Sequence, residues 1–180
     1  GARGIEATWL PLGCDPAVHR PHSVPRDLEV VFVGHVRPFH HRRRQLLDRL
    51  AQRCAVHEAQ GVFLHDMAAR LSRGRIAFNA SLAGDLNMRV FEALSVGTFL
   101  VTDRIENGQE QFFADGEHLA LYDDDTLEDV VAHYLARPEL ADQVAARGQR
   151  LVQRHHTYGN RVDQLLAQVA SRTPAREARS

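Results

Sequence analysis

The chain has 180 residues, of which 44% are hydrophobic and 25% charged, and its formal net charge is -1. That length and balance fit one globular domain that buries its core without disulfides or structural metals, and they exclude the global basic field of a nucleic-acid or anionic-membrane binder. No apolar run approaches the ~20 residues that a transmembrane helix needs.

Along the chain, short apolar runs alternate with amphipathic stretches, the pattern of βαβ units and a parallel sheet. The opening GARGIEATWLPLG lacks both a leading Met and the basic start and long apolar core of a signal peptide, so it reads as a segment of a longer chain. LEVVFV at 28–33 is the clearest strand, and it ends at Gly34. A helix is expected over 41–53, with Leu46, Leu47 and Leu50 on one face. A short second strand is expected at 54–57, a second helix at 66–72 and a third strand at 75–79. The next helix, 86–96, is closed by Gly97. A fourth strand at 98–102, a helical turn at 109–114 and a fifth strand at 118–122 follow. From Thr126 the pattern is helical throughout: 127–136, 138–154 with Pro138 in its first turn, and 158–171. The expected fold is a Rossmann-like, doubly wound parallel sheet of about five strands with a C-terminal helical segment. It occupies 1–172 as one domain, ahead of a polar tail at 173–180.

Ligands of such sheets bind at the carboxyl ends of the strands. The first candidate loop is GHVRPFHHRRR, 34–44. Gly34 lets backbone approach a ligand, and the helix start behind it offers free N–H groups. Arg37, Arg42, Arg43 and Arg44 supply positive charge, and His35 follows Gly34 directly. A solvated basic turn explains the same residues equally well. The second and third glycines of a dinucleotide fingerprint are absent.

The second candidate is GDLNMRVFEALSVGTFLVTD, 84–103. On a helix beginning at 86, Arg89 and Glu92 share a face that Asp85 extends at i, i+4 spacing. A carboxylate there can accept from two ribose hydroxyls, and an Arg can hold a phosphate. A surface salt-bridge ladder is the competing account. Asn87 precedes Arg89 by two residues and joins the candidate set, as does Gly108 in the loop after the fourth strand. The aspartate run Asp123, Asp124 and Asp125 reads as a helix cap: Asp125 with Glu128 makes a capping box, and no metal site is expected. The 11 histidines show no HExxH or paired Cys/His spacing, and Cys14 and Cys54 make no disulfide framework, so a reducing cytoplasm is the expected compartment.

At these residues the sequence resembles the C-terminal domain of GT-B glycosyltransferases, especially the glycosyl-transferase-like family typified by bacterial spore-maturation proteins. The similarity runs from WLPLGCDPAVHRP through VVFVGHVRP, is strongest in RIAFNASLAGDLNMRVFEALSVGTFLVTD, and ends in NGQEQFFADGEHLALYDD and HHTYGNRVDQLL, covering about residues 8–167. The resemblance implies a donor-binding domain for a UDP-, GDP- or dTDP-sugar, acting without a bound metal or other cofactor. A missing N-terminal Rossmann-like domain or partner chain would complete it. It implies that Glu92 is the second glutamate of an E-x(7)-E pattern and contacts the donor ribose. Arg89 then faces the diphosphate, Gly34 is the glycine of the first loop, and Arg43 is the arginine of the following helix start. Gly84 stands where the first glutamate would be, with Asp85 beside it. A non-catalytic nucleotide-sugar-binding domain is the alternative.

Overall fold

The computed structural model describes residues 7–172, so the expected tail at 173–180 lies outside the described residues. Five parallel strands form one sheet: β1 (Leu28–Val33), β2 (Val56–Ala59), β3 (Gly74–Asn79), β4 (Phe99–Asp103) and β5 (Ala120–Tyr122), in the order β2-β1-β3-β4-β5. Six α-helices connect and follow them: α1 (His41–Ala51), α2 (Leu64–Ser72), α3 (Met88–Val96), α4 (Leu127–Leu135), α5 (Pro138–His155) and α6 (Tyr158–Arg172). A 3-10 turn, Gln109–Gln111, lies between β4 and β5.

The central strands are apolar along almost every residue because both faces of the sheet are covered. Successive side chains of β1 point to opposite faces and feed two separate cores. Val30 and Phe32 pack with Ile76, Phe78, Phe99 and Tyr122 under α1, α4 and α5. Val31 and Val33 pack with Ala77, Leu100 and Leu121 under α2 and α3. The sheet is therefore wound on both faces, as the alternation of apolar and amphipathic runs predicts.

Two of the boundaries that move from their expected places do so for clear local reasons. Strand β2 starts two residues later than expected, because the Cys54 amide still closes the last turn of α1 on the Leu50 carbonyl at 3.0 Å. Its register is set by β1, from Val30↔Val56 to Val33↔Ala59. Helix α3 starts at Met88 rather than 86, because Asn87 is its cap and accepts from the Arg89 amide at 3.1 Å. Its other end is closed by Gly97 at φ 79, a conformation an L side chain rarely adopts.

The expected capping box at α4 is not formed. Thr126 precedes that helix and makes no side-chain cap; its hydroxyl instead accepts from the Asp123 amide at 2.9 Å. Glu128 is drawn away from the helix start by Arg49, which binds its two oxygens at 2.7 and 2.5 Å. A bidentate charged pair outweighs a cap to a neutral amide.

The order of the strands places the site. From β1 the chain crosses one face through α1 to reach β2; from β3 it crosses the other face through α3 to reach β4. The loops after these two neighbouring strands therefore part, and a crevice opens between them at the carboxyl end of the sheet.

Candidate functional site at the parting of β1 and β3

A cavity of about 560 Å³ occupies this crevice. Val33 and Gly34 from the end of β1, Asn79 from the end of β3, and Asp85, Asn87, Arg89 and Glu92 around the start of α3 all line it. Its other wall is apolar, with Val18, Phe63, Leu64, Met67, Leu82 and Met88.

The polar wall follows from how α3 begins. Gly84 sits at φ 66, and Asp85 folds back so that its Oδ1 lies 3.3 and 3.4 Å from the amides of Leu82 and Ala83. Asp85 thus belongs to the turn before the helix and does not extend the Arg89–Glu92 face, as a helix from 86 would have required. Arg89 falls in the first turn of α3 and Glu92 one turn later. The Arg89 Nε donates to the carbonyl of Val33 at 3.0 Å, and Nη1 donates to Glu92 Oε2 at 2.7 Å. Nη2 has no acceptor among the described residues. The Val33 carbonyl is the last of β1, immediately before Gly34, so one guanidinium joins the helix start to the strand end.

Both members of this pair are removed from bulk water, with side-chain exposures of 20% and 11%. Burial lowers the proton affinity of the Arg89 guanidinium, and the Glu92 charge opposes that shift. An arginine so placed stays charged and keeps an orientation fixed by two acceptors.

Arg43 reaches the same cavity from α1. Its Nη1 donates to the His35 carbonyl at 2.9 Å and its Nη2 to the Ala80 carbonyl, so it ties the loop after β1 to the loop after β3. Its guanidinium lies 5.4 Å from the Phe32 ring centroid, and its Nε is buried without a partner. Beneath the second loop, the buried Asp103 carboxylate accepts from the Ser81 amide at 2.9 Å, the Ser81 hydroxyl at 2.6 Å and Arg42 at 2.9 Å.

The other arginines of the basic run are engaged elsewhere. Arg42 forks between Asp103 and Asp124, and Arg44 pairs with Glu58 and Asp48. Arg37 is exposed beside Val36, Pro38 and His41 on a shallow surface depression and does not line the cavity. His35 contributes its carbonyl to Arg43, but its ring is outside, 6.3 Å from that of Phe63. Gly108, at φ 78, is shaped by the turn and by the Trp9 ring, which a Cβ there would meet at 2.9 Å; it too lies off the cavity. Of the eight candidates, the structure gathers Gly34, Arg43, Asn87, Arg89 and Glu92 and leaves His35, Arg37 and Gly108 outside.

Several lining residues, among them Asp15, His19 and Tyr158, escaped the sequence reading. His19 sits in the segment before β1, which is held against α3 by the Ser95 hydroxyl donating to the His19 carbonyl at 2.7 Å. The Asp15 amide donates to His19 Nδ1 at 3.1 Å, and Nε2 lies 3.5 Å from Glu92 Oε1. Burial pushes the His19 pKa down, against the pull of Glu92. The available signal was local: in Asp-Pro-Ala-Val-His the Asp15 carboxylate and carbonyl nucleate a turn that returns the His19 ring to the Asp15 amide.

Among the described residues, no group of three or more His, Cys, Asp or Glu is placed to hold a metal ion. In the aspartate run, Asp124 is bound by Arg42 and Asp123 lies 3.6 Å from Arg104. No helix among the described residues is long and apolar enough to cross a membrane.

The sheet order, the two-sided cover and a crevice at the strand parting define a Rossmann-like domain of the kind that forms one half of a GT-B fold. The chain belongs to the glycosyl transferase-like family, whose model matches residues 24–167. No curated protein matches the chain. Among solved structures it is similar to a sucrose-phosphate synthase from Thermosynechococcus elongatus, with a TM-score of 0.69 and 16% identity over 91% of this chain and 53% of that one. It is similar to Anabaena HepE in complex with UDP and glucose, with a TM-score of 0.72 and 14% identity over 88% of this chain and 55% of the other. The C-terminal domain of a group 1 glycosyl transferase (LpcC) from Francisella tularensis is matched over its whole length and 81% of this chain, with a TM-score of 0.64 and 13% identity. The chain thus spans about half the length of the first two structures.

Proposed function

We propose that residues 1–172 form the donor-binding half of a bacterial, cytoplasmic glycosyltransferase that moves a hexose from a UDP-, GDP- or dTDP-sugar without a bound metal. The observation that carries this reading is the convergence of Gly34, Arg89 and Glu92 on one cavity at the parting of β1 and β3. HepE, of like fold, was solved with UDP and glucose. In this reading Glu92 receives the ribose hydroxyls, and the diphosphate lies between the Gly34 backbone and Arg89. Departure of the nucleoside diphosphate builds charge on its phosphates. Arg89, held by two acceptors before the reaction begins, stabilises that charge with little reorganisation. Arg43 brings a second positive charge to the same cavity. The acceptor binds between this domain and an N-terminal Rossmann-like domain or partner chain.

Isothermal calorimetry of the chain with UDP, GDP, dTDP and their sugars tests the reading. One of them is expected to bind, and binding is expected to survive EDTA. Glu92→Gln is expected to weaken it by about tenfold or more, the size of a lost charged hydrogen bond. Equal affinity in the variant sinks the ribose contact, and loss in EDTA restored by magnesium or manganese sinks the metal-free mechanism.

One observation favours a second reading, binding without transfer. Gly84, at φ 66, puts no carboxylate where the resemblance places the first glutamate, and Asp85 Oδ1 faces the turn amides. A two-domain assembly that binds donor but never consumes it would support this alternative.

A further inference from the structure

We propose that His19 is a positioning residue for Glu92, acting as a neutral Nε2–H donor that fixes the carboxylate from the side opposite Arg89. The inference rests on the donor-site reading above and adds to it a residue that comes from outside the sheet.

The geometry assigns both ring nitrogens. The Asp15 amide can only donate, so Nδ1, 3.1 Å away, must accept and carries no proton. The neutral ring then holds its proton on Nε2, which approaches Glu92 Oε1 at 3.5 Å, a polar contact longer than an ordinary hydrogen bond. The other carboxylate oxygen, Oε2, is held by Arg89 Nη1 at 2.7 Å. Glu92 is therefore bracketed, with one oxygen toward Arg89 and the other toward His19. Rotation of the carboxylate out of the cavity would forfeit both contacts.

The bracket is built from two distant parts of the chain. His19 is 5% exposed, and its backbone is fastened to α3 through the Ser95 hydroxyl, on the same helix as Glu92. A displacement of the 14–22 segment would thus be transmitted to Glu92 directly. The charged and titratable groups around the ring are Asp15 on its own segment, Glu92 and Arg89 on α3, and His65 on α2. A second proton on the ring would have to enter at Nδ1, against the Asp15 amide, so the neutral donor form is the one this site keeps.

The test is a double-mutant cycle on nucleoside diphosphate binding, with UDP, GDP and dTDP as probes. His19→Phe is expected to weaken the tightest of the three by about tenfold, as removal of a donor to a charged group does. His19→Gln, whose amide can place an N–H near the Nε2 position, is expected to recover affinity to within about threefold of the parent. In a Glu92→Gln background, His19→Phe is expected to change affinity by less than about twofold, because the group it positions has lost its charge. A merely structural His19 would give additive losses in the cycle and no rescue by Gln, and either result overturns the proposal. If His19→Phe does not fold, the same cycle is run with His19→Gln and His19→Asn, where Gln must bind more tightly than Asn. Should none of the three diphosphates bind the parent, the donor-site reading falls and takes this inference with it. Should the parent bind and the cycle be additive, only the His19 assignment falls.

Discussion

Two helix starts face the carboxyl end of this sheet, and they differ in what they do with their charge. The start of α1 carries three consecutive arginines, Arg42, Arg43 and Arg44, with Arg37 just ahead of them, whereas the start of α3 carries Arg89 alone. By charge, α1 is the stronger anion site. In the structure most of that charge is matched by protein: Arg42 by Asp103 and Asp124, Arg44 by Glu58 and Asp48, Arg43 by two backbone carbonyls. The single arginine of α3 faces the cavity, one carboxylate beside it and one nitrogen without an acceptor. On the donor-site reading, desolvation and unmatched capacity at a concave surface single out an anion site, and local arginine density does not.

The sharpest way to break this comparison is to remove the α3 arginine. Arg89→Ala leaves Glu92 buried without its closest partner and is expected to cost about 3 kcal/mol of stability by denaturant unfolding. Replacing both with apolar residues, Arg89→Leu with Glu92→Leu, should restore most of that loss. A single variant costing less than about 0.5 kcal/mol, the range of ordinary surface changes, would show that the pair is effectively solvated.

Next in size is Arg43→Met, which keeps the stem over Phe32 and removes the bonds to the His35 and Ala80 carbonyls. It is expected to cost about 2 kcal/mol, with amide exchange quickening in the loops after β1 and β3. Exchange unchanged in both loops would deny Arg43 its tying role.

The smallest effect belongs to Arg42, whose side chain is 43% exposed. Arg42→Ala is expected to cost about 1 kcal/mol or less near neutral pH. Arg42 holds the Asp124 carboxyl below its ordinary value of 3.8. A carboxylate with a depressed folded-state pKa adds stability above its unfolded pKa and loses it as pH falls through the folded value. The stability gap between parent and Arg42→Ala should therefore be steady from pH 7 to 5 and narrow below about pH 4. A gap that widens in acid would mean that Asp124 is not the partner that matters. Arg37→Ala, on the exposed turn, serves as the control and should stay within about 0.5 kcal/mol.

The contrast between these helix starts also shows how far the sequence could be read. Four of the five strands were legible because they are short apolar runs bounded by turn residues, and the helices because their apolar spacing is near 3.6; β2, Val-His-Glu-Ala, carries no such run and overlaps its expected place by only two residues. The turn at Gly97 was legible because a left-handed C-cap has a residue signature. The start of α3 was misjudged by two residues because Leu86 is apolar and buried and so continues the periodic pattern, although Asn87 caps below it. The box at Asp125 failed because Glu128 is bound by Arg49, a partner 79 residues away that no local pattern displays.

The sequence by itself therefore determined the class of fold, the faces of its helices and the loops in which a ligand site would lie, because these depend on periodicity and turn chemistry within a few residues. Only the tertiary structure decided which charges line the cavity. Arg37, Arg42, Arg43, Arg44 and Arg89 carry the same side chain, and what separates them is where the folded chain puts each: Arg43 and Arg89 line the cavity, Arg42 and Arg44 pair with carboxylates outside it, and Arg37 stands exposed. His19 joined the cavity on the same terms: its ring reaches Glu92, 73 residues along the chain, only because the Ser95 hydroxyl binds its backbone 76 residues away. Pairings at that separation arise from the parting of β1 and β3 and from the packing of the 14–22 segment on α3, and short-range sequence patterns carry no record of them.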